Sequence, residues 1–276
     1  HLSCSGPGSC IRFMQLPWFQ RFPTAEDTQT LYNRALSEPC PRATLTRQAE
    51  IFSSSIVAVG AFNPAIFTPD WLERNNLIGR DDLEDARKGL SLIVSHQVCA
   101  YETDWFALQV LEEQFSLTSK GPLTPAFADL AIGILSFVPH TPITAVGLNF
   151  LGHYRLASTE EYHQVGDVLA PKSIWVRLYP EEHATAGLAD LTIRIQQTDK
   201  NRNQISGGEK QISIQPSAKV RYGVFFAYND HHVVAPTNEA ATAAELAADT
   251  ISAYWELSWQ DAVRVFDGVL SQALAR

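Results

Sequence analysis

The sequence is poor in the features that mark several common classes of protein. Its four cysteines, Cys4, Cys10, Cys40 and Cys99, form no CxxC pair. A disulfide framework is therefore not expected. We expect the thiols to be reduced and the protein to be cytoplasmic. No apolar run reaches the roughly 18 to 20 residues that a membrane span requires, so a membrane is not expected as a partner. The formal net charge is −9 without any run of Lys or Arg, which argues against nucleic acid as the main partner.

The short signatures of common enzymes are also missing. The sequence contains no HEXXH, GxSxG, GxxxxGKS/T or GxGxxG pattern, and these patterns are typical of zinc proteases, serine hydrolases and nucleotide-binding proteins. Serines occur as a run at 53–55 and beside glycines at 206–208, but neither stretch carries a nucleophile motif. No catalytic residue, metal or cofactor is therefore assigned, and the interpretation leans away from an enzyme.

What is present is the composition of a folded protein. Hydrophobic residues make up 45% of the 276 residues and charged residues 18%, which argues against wholesale disorder. A chain of this length buries one large core or two small ones. Residues 1–49 are expected to form a partly irregular arm, because repeated prolines between Pro7 and Pro41 break its periodicity. The aromatic residues between Phe13 and Phe22 are too apolar for a free tail, and we expect them to pack on the body or on a neighbouring subunit.

The body contains two segments of similar sequence. Ile143–Gly147 (ITAVG) nearly repeats Ile56–Gly60 (IVAVG), and each begins a series whose patterns predict strand, helix, hairpin strands and helix. We therefore predict two tandem βαββα repeats, over residues 50–141 and 142–276, the second with the C-terminal helices, fused into one domain. One repeat alone would leave an apolar sheet face and an open edge, and pairing the repeats covers both.

The predicted fold class is α+β. It is one curved, mostly antiparallel sheet with long helices on one face, as in TATA-binding-protein-like and helix-grip folds. This comparison is an analogy of fold and implies no function.

Local signals predict individual elements. Thr68 is predicted as the N-cap of a short helix that starts at Pro69, and Ser158 with Glu161 is predicted as a capping box. An apolar stripe at 127–138 predicts a helix that lies on the sheet. Antiparallel strands are predicted at 92–101 and 105–117, joined by a turn at 102–104, and a long hairpin loop at 199–209.

Three groups of short motifs stand out in the body. They are FNPAIF at 62–67; His163 with GDVLAPK at 166–172; and QPS at 215–217 with GVF at 223–225 and NDH at 229–231. Together they resemble a sporadically distributed bacterial family of uncharacterised function, over roughly residues 53–231. The resemblance implies a bacterial protein and singles out five family-like positions: His153, His163, Asp167, Asp230 and His231. Gln215 departs from the family pattern, in which an acidic residue is expected.

The candidate ligand-binding residues combine this set with one neighbour: His153, Tyr154, His163, Asp167, Asp230 and His231. His153 and His231 are each expected to follow a strand, so that they could meet at one rim of the sheet. His163 and Asp167 are four residues apart and share a helix face. Such a group could bind a divalent metal or act as acid and base. The alternative is structural, with these residues capping helices and fastening loops.

Three functions from different classes stay open. The first is a non-enzymatic binding or assembly module, a homo-oligomer or a subunit of a bacterial complex, with aromatic residues such as Trp18, Trp255 and Trp259 as contacts. Those residues could equally fill the core. The second is a small-ligand or nucleotide binder that uses the groove between the sheet and the long helices. The third is a metal-dependent enzyme that uses the His/Asp rim.

Overall fold

Alternation of side chains along the strands places every second residue on one face of a sheet, and that pattern builds the core of this protein. The structure is a computed structural model that describes residues 47–89, 91–121, 123–179, 186–196, 208–234 and 242–275. The predicted arm (1–49) lies outside these residues except at 47–49, and the predicted loop (199–209) except at its last two positions.

The described residues form nine strands and six α-helices. The strands are β1 (Ile51–Gly60), β2 (Ile93–Val94), β3 (Val98–Glu102), β4 (Phe106–Leu111), β5 (Gln114–Ser119), β6 (Ile143–Arg155), β7 (Leu191–Gln196), β8 (Gly208–Pro216) and β9 (Gly223–Val233). The helices are α1 (Pro69–Arg74), α2 (Arg80–Lys88), α3 (Pro125–Ser136), α4 (Thr159–Leu169), α5 (Ser173–Leu178) and α6 (Ala243–Leu274). A 3-10 turn, Pro64–Ile66, precedes α1. Of these helices, none combines the length and the apolar character needed to cross a bilayer.

All the strands belong to one curved, open sheet in the order β2-β3-β4-β5-β1-β6-β9-β8-β7, and every neighbouring pair is antiparallel. The two segments of similar sequence pair directly at its centre, with Ala58 of β1 opposite Val146 of β6. The α+β class and the single antiparallel sheet with helices packed on it are confirmed. The tandem repeat stays a prediction.

The helices and the core lie on one face of this sheet. Phe150 of β6 turns to that face, between Ser54 of β1 and Tyr228 of β9. The ring of Trp255 in α6 packs on Phe150 with 5.0 Å between centroids, and Phe127 of α3 packs on Trp255 at 5.4 Å. The long helices therefore bury the apolar side of the central strands.

The predicted helix caps are present. Thr68 Oγ1 accepts a hydrogen bond from the backbone N–H of Trp71 (3.2 Å) at the start of α1. Ser158 Oγ accepts one from Glu161 N–H (3.2 Å) at the start of α4. The carboxylate of Glu161 accepts from Ala157 N–H (3.0 Å), one residue earlier than a capping box requires.

The strands predicted at 92–101 and 105–117 are each divided in two by a turn. Between β4 and β5, the buried positions change from even-numbered (Phe106, Leu108, Val110) to odd-numbered (Phe115, Leu117). A continuous strand cannot make this change, so the chain reverses at 112–113. The turn between β3 and β4 is confirmed, because the N–H of residue 103 donates to the carbonyl of residue 106 at 2.8 Å.

Candidate ligand-binding pocket

The structure distributes the six candidate residues over separate places. His153 and His231 do not follow strands, because β6 and β9 stay paired beyond both positions. His153 lies opposite Phe225 and His231 opposite Gly147. Six residues of β9 therefore separate the two histidines, which is about 20 Å along the ladder. The expectation that they meet at one rim is wrong.

Asp230 is buried beneath α6, where it joins that helix to the sheet. Ser258 Oγ donates a hydrogen bond to Asp230 Oδ2 (2.6 Å), and His232 Nε2 lies 3.3 Å from Asp230 Oδ1. Burial by itself raises the pKa of this carboxyl, but the contacts with His232 and Ser258 and the charge of Lys210 outweigh it and lower the pKa below its usual value. His231 points to the opposite face, as alternation requires. Asp230 therefore has a structural role, because its contacts hold α6 on the sheet.

A second polar link between the sheet and α6 lies one helical turn away. The carboxylate of Asp261 accepts a hydrogen bond from the hydroxyl of Tyr228 (2.7 Å) and pairs with Lys210 and Arg264. Burial opposes ionisation of Asp261, yet these three donors together lower its pKa to about 2. Asp261 is therefore ionised at neutral pH and held by its neighbours.

His153 and Tyr154 are adjacent but occupy opposite faces of β6. His153 Nδ1 lies 2.8 Å from Ser217 Oγ, and the same hydroxyl oxygen accepts from Val220 N–H (2.9 Å) in the turn between β8 and β9. Burial, and then the charge of Lys219, lower the pKa of His153. Tyr154 is buried in the core, and burial raises its pKa to about 12. His153 thus fastens a turn, and Tyr154 fills the core.

His163 and Asp167 lie together at a cavity, which we call the α4 pocket. Its volume is about 320 Å³. It is lined by residues of α4, of the segment 186–188 and of the adjacent ends of β8 and β9: Tyr162, His163, Val165, Gly166, Asp167, Lys172, Ala186, Gly187, Leu188, Gln215, Pro216 and Val224. Two of the three motif groups contribute to this lining: residues 163–172, and residues 215, 216 and 224 of the hairpin formed by β8 and β9.

The α4 pocket has an apolar wall and a polar mouth. Val165 and Val224 are buried in the wall, and Leu188 is partly buried beside them. At the mouth, Lys172 Nζ lies 2.7 Å from Asp167 Oδ1 in a half-exposed ion pair. The mouth therefore offers hydrogen-bond donors and acceptors above an apolar surface, an arrangement typical of small-molecule sites.

Three contacts hold the helix that forms one side of this pocket. Arg47 donates two hydrogen bonds to Glu161, at 3.1 and 3.2 Å. Gln164 Nε2 donates to the carbonyl of Ala273 on α6 (3.0 Å). These contacts fix the sides of α4 that face away from the cavity, so His163 and Asp167 are presented by a supported helix.

A strained residue lies next to the pocket. Tyr222, in the turn before β9, has a φ of 52°, in the left-handed region. Its ring lies 6.4 Å from the ring of Tyr162, which lines the pocket. Non-glycine residues in this region cost of order 1 to 3 kcal/mol and cluster at functional sites. Two backbone hydrogen bonds hold this turn: Leu156 N–H donates to the carbonyl of Tyr222 (3.2 Å), and Gly223 N–H donates to the carbonyl of Val220 (3.1 Å).

Sequence reasoning missed part of the lining. Lys172 belongs to a motif that was singled out, but its pairing with Asp167 was not expected. Gln215 attracted notice only as a departure from the family pattern. Leu188 begins a segment, 188–196, whose alternating pattern predicts a strand, but it belongs to no motif, so nothing singled it out as a site residue.

Within the described ranges, no group of three or more His, Cys, Asp and Glu side chains is placed to hold a metal ion. Comparison with known protein families and with curated proteins finds no match for this chain. The fold and the pocket thus define an α+β protein with one large antiparallel sheet and a small-molecule-sized cavity beside a short helix.

Proposed function

We propose that the protein binds a small organic molecule in the α4 pocket. The observation that supports this is the meeting of two motif groups around one cavity: residues 163–172, and residues 215–217 with 223–225 in the hairpin of β8 and β9. The volume of about 320 Å³ is at the lower end of small-molecule sites, which span roughly 300 to 1,000 Å³. A purely structural role for the motifs would not require a cavity between them.

The lining defines the class of ligand. An apolar body suits the wall of Val165, Leu188 and Val224, and a head group that both donates and accepts hydrogen bonds suits the mouth. Among the described residues of the lining, Lys172 is the single Lys or Arg, and it is already paired with Asp167. A nucleotide carries several phosphate charges that one paired ammonium does not balance, so a nucleotide is disfavoured.

Filling the cavity tests the proposal. Gly166 lies in α4, and a Cβ added there would meet Leu188 Cβ at 3.8 Å, an ordinary contact. Gly166→Leu should therefore fold and occupy the cavity. The matched control is Gly268→Leu, since Gly268 is also helical, lies outside the cavity and has open space around it.

The assay is thermal unfolding against a panel of compounds that share an apolar body and differ in head group: amide, hydroxyl, carboxylate and ammonium. A ligand present at 100 times its dissociation constant stabilises the native state by about 2.7 kcal/mol. We expect at least one compound to stabilise the wild type and Gly268→Leu, and not Gly166→Leu. Equal stabilisation of Gly166→Leu, or no stabilisation of the wild type by any member, contradicts the proposal.

We also propose a second candidate, self-association through the edge strand β7. Among the described residues, β7 is the last strand of the sheet, and no described strand pairs with its outer edge. Ile193 and Ile195 on this strand are 44% and 43% exposed. An exposed apolar edge strand favours pairing with a second copy of the chain.

Sedimentation velocity at micromolar concentration tests the self-association. We expect a dimer in the wild type and in Thr192→Lys, and a monomer in Ile193→Lys, because Ile193→Lys removes an apolar contact between the paired edge strands. Thr192→Lys, on the other face of the same strand, is the companion variant, and it separates loss of the apolar contact from the general effect of charge. A wild-type monomer would rule the candidate out.

A further inference from the structure

The geometry points to a second binding site, for a small organic cation, in a groove between α3 and α6. We call it the tryptophan groove. Its volume is about 470 Å³. It is lined by Phe52, Leu123, Thr124, Pro125, Ala128, Asp129, Ile132, Ile251, Ser252, Trp255, Glu256 and Trp259. It shares no lining residue with the α4 pocket, so this inference is independent of the proposed function.

The base of the groove is an aromatic surface that its neighbours hold in place. Trp259 packs on Phe52 with 4.7 Å between ring centroids and on Phe150 at 5.6 Å. Trp255 is sandwiched between Phe127 (5.4 Å) and Phe150 (5.0 Å). Trp255 is buried, whereas Trp259 is only partly so. A ligand in the groove therefore meets an ordered indole, and Trp is the side chain that attracts cations best.

The charge in the groove has one sign. Asp129 on α3 and Glu256 on α6 are exposed lining residues, and no Lys, Arg or His occurs among the lining residues that the structure describes. Within the described part of the chain neither carboxylate takes part in an ion pair; Glu256 accepts a hydrogen bond from Gln260 (2.9 Å). The net charge of −9 adds to this local field. Two carboxylates over an aromatic base match a cation and repel an anion.

The size and charge of the groove favour a small molecule over a second copy of this chain as its occupant. Its volume of about 470 Å³ lies within the range of small-molecule sites, roughly 300 to 1,000 Å³. A second copy of this chain, docked through the same groove, would bring Asp129 and Glu256 near their own equivalents and be repelled. In an ammonium compound with an aromatic or alkyl body, the charge would interact with the indole and the carboxylates, and the body would pack on the apolar walls.

Three probes of similar size and different charge test the site: benzylammonium, benzyl alcohol and benzoate. The readout is the indole N–H signals of Trp255 and Trp259 in nitrogen-edited NMR spectra of the full chain, assigned with Trp→Phe variants. We expect benzylammonium to shift the Trp259 signal saturably, benzyl alcohol to bind about fivefold or more weakly, and benzoate not to bind. Raising the salt concentration should weaken only the benzylammonium titration.

The double variant Asp129→Asn with Glu256→Gln should lower the affinity for benzylammonium about fivefold and leave benzyl alcohol unchanged. Asp249→Asn is the control, because Asp249 is exposed on α6 but does not line the groove. Trp259→Ala should weaken both probes. Benzoate binding as tightly as benzylammonium, or a Trp259 signal that no probe moves, would overturn the inference. So would an effect of Asp249→Asn as large as that of the double variant.

Discussion

The hydrogen bond from Ser258 to Asp230 offers the sharpest test of how α6 is held on the sheet. Both side chains are 1% exposed, and their oxygens are 2.6 Å apart. A hydrogen bond to a charged group contributes about 1.5 to 3 kcal/mol. Ala is a better helix former than Ser by up to about 0.7 kcal/mol, so Ser258→Ala should lower the free energy of unfolding by about 1 to 2.5 kcal/mol.

Urea unfolding of the wild type, Ser258→Ala, Asp230→Asn and the double variant isolates the hydrogen bond between Ser258 and Asp230. In the background of Asp230→Asn, the carboxamide accepts only a neutral hydrogen bond, so Ser258→Ala should cost about 1 kcal/mol less than in the wild type. Asp230→Asn alone should lower the free energy of unfolding by about 1 to 3 kcal/mol, because it replaces a buried carboxylate that accepts a hydrogen bond from Ser258. Ser271→Ala, an exposed site on the same helix, is the control and should stay within about 0.5 kcal/mol of the wild type. If Ser258→Ala behaves like Ser271→Ala, the account of this junction is refuted.

Two further predictions concern other parts of the core. The pKa of Asp261 is about 2 in the folded protein against an ordinary 3.8, so its charge stabilises the fold above about pH 4 and ceases to do so as the pH falls towards 2. The difference in unfolding free energy between the wild type and Asp261→Asn, measured in urea, should therefore be constant from pH 7 to 5. It should shrink by on the order of 2 kcal/mol at lower pH; a difference that grows on acidification contradicts this. A Cβ at Gly60 would lie 2.1 Å from the carbonyl oxygen of Pro142, so Gly60→Ala should lose about 1 to 3 kcal/mol in calorimetry. Gly187→Ala should not lose stability, because a Cβ added at Gly187 would meet open space. Equal melting temperatures for Gly60→Ala and Gly187→Ala would contradict the close contact at Gly60.

Much of the fold could be predicted because its signals are local or repeat along the chain. The cap at Thr68 depends on residues within one helical turn. The similar segments at 56–60 and 143–147 indicated related positions in one sheet, and they are paired at its centre. The divided strand at 106–119 was missed, although the change in parity between Val110 and Phe115 could have revealed it.

The candidate site was harder to predict because its geometry depends on register. Whether His153 lies near Asp230 is decided by how β6 and β9 align, and no residue near either position specifies that alignment. His163 and Asp167 were grouped correctly because helix periodicity is local. Their partners in the pocket come from elsewhere in the chain: Val224 lies in β9, and Leu188 lies in the segment before β7.

The central claim is that the α4 pocket is a ligand site, and mapping a bound ligand onto the backbone tests it most directly. The compound that most stabilises the wild type in the thermal panel would be titrated into isotope-labelled protein. We predict saturable shifts of the amide signals of Val165, Gly166, Leu188 and Val224, all lost in Gly166→Leu. Shifts confined to residues outside this lining, and retained in Gly166→Leu, would contradict the account.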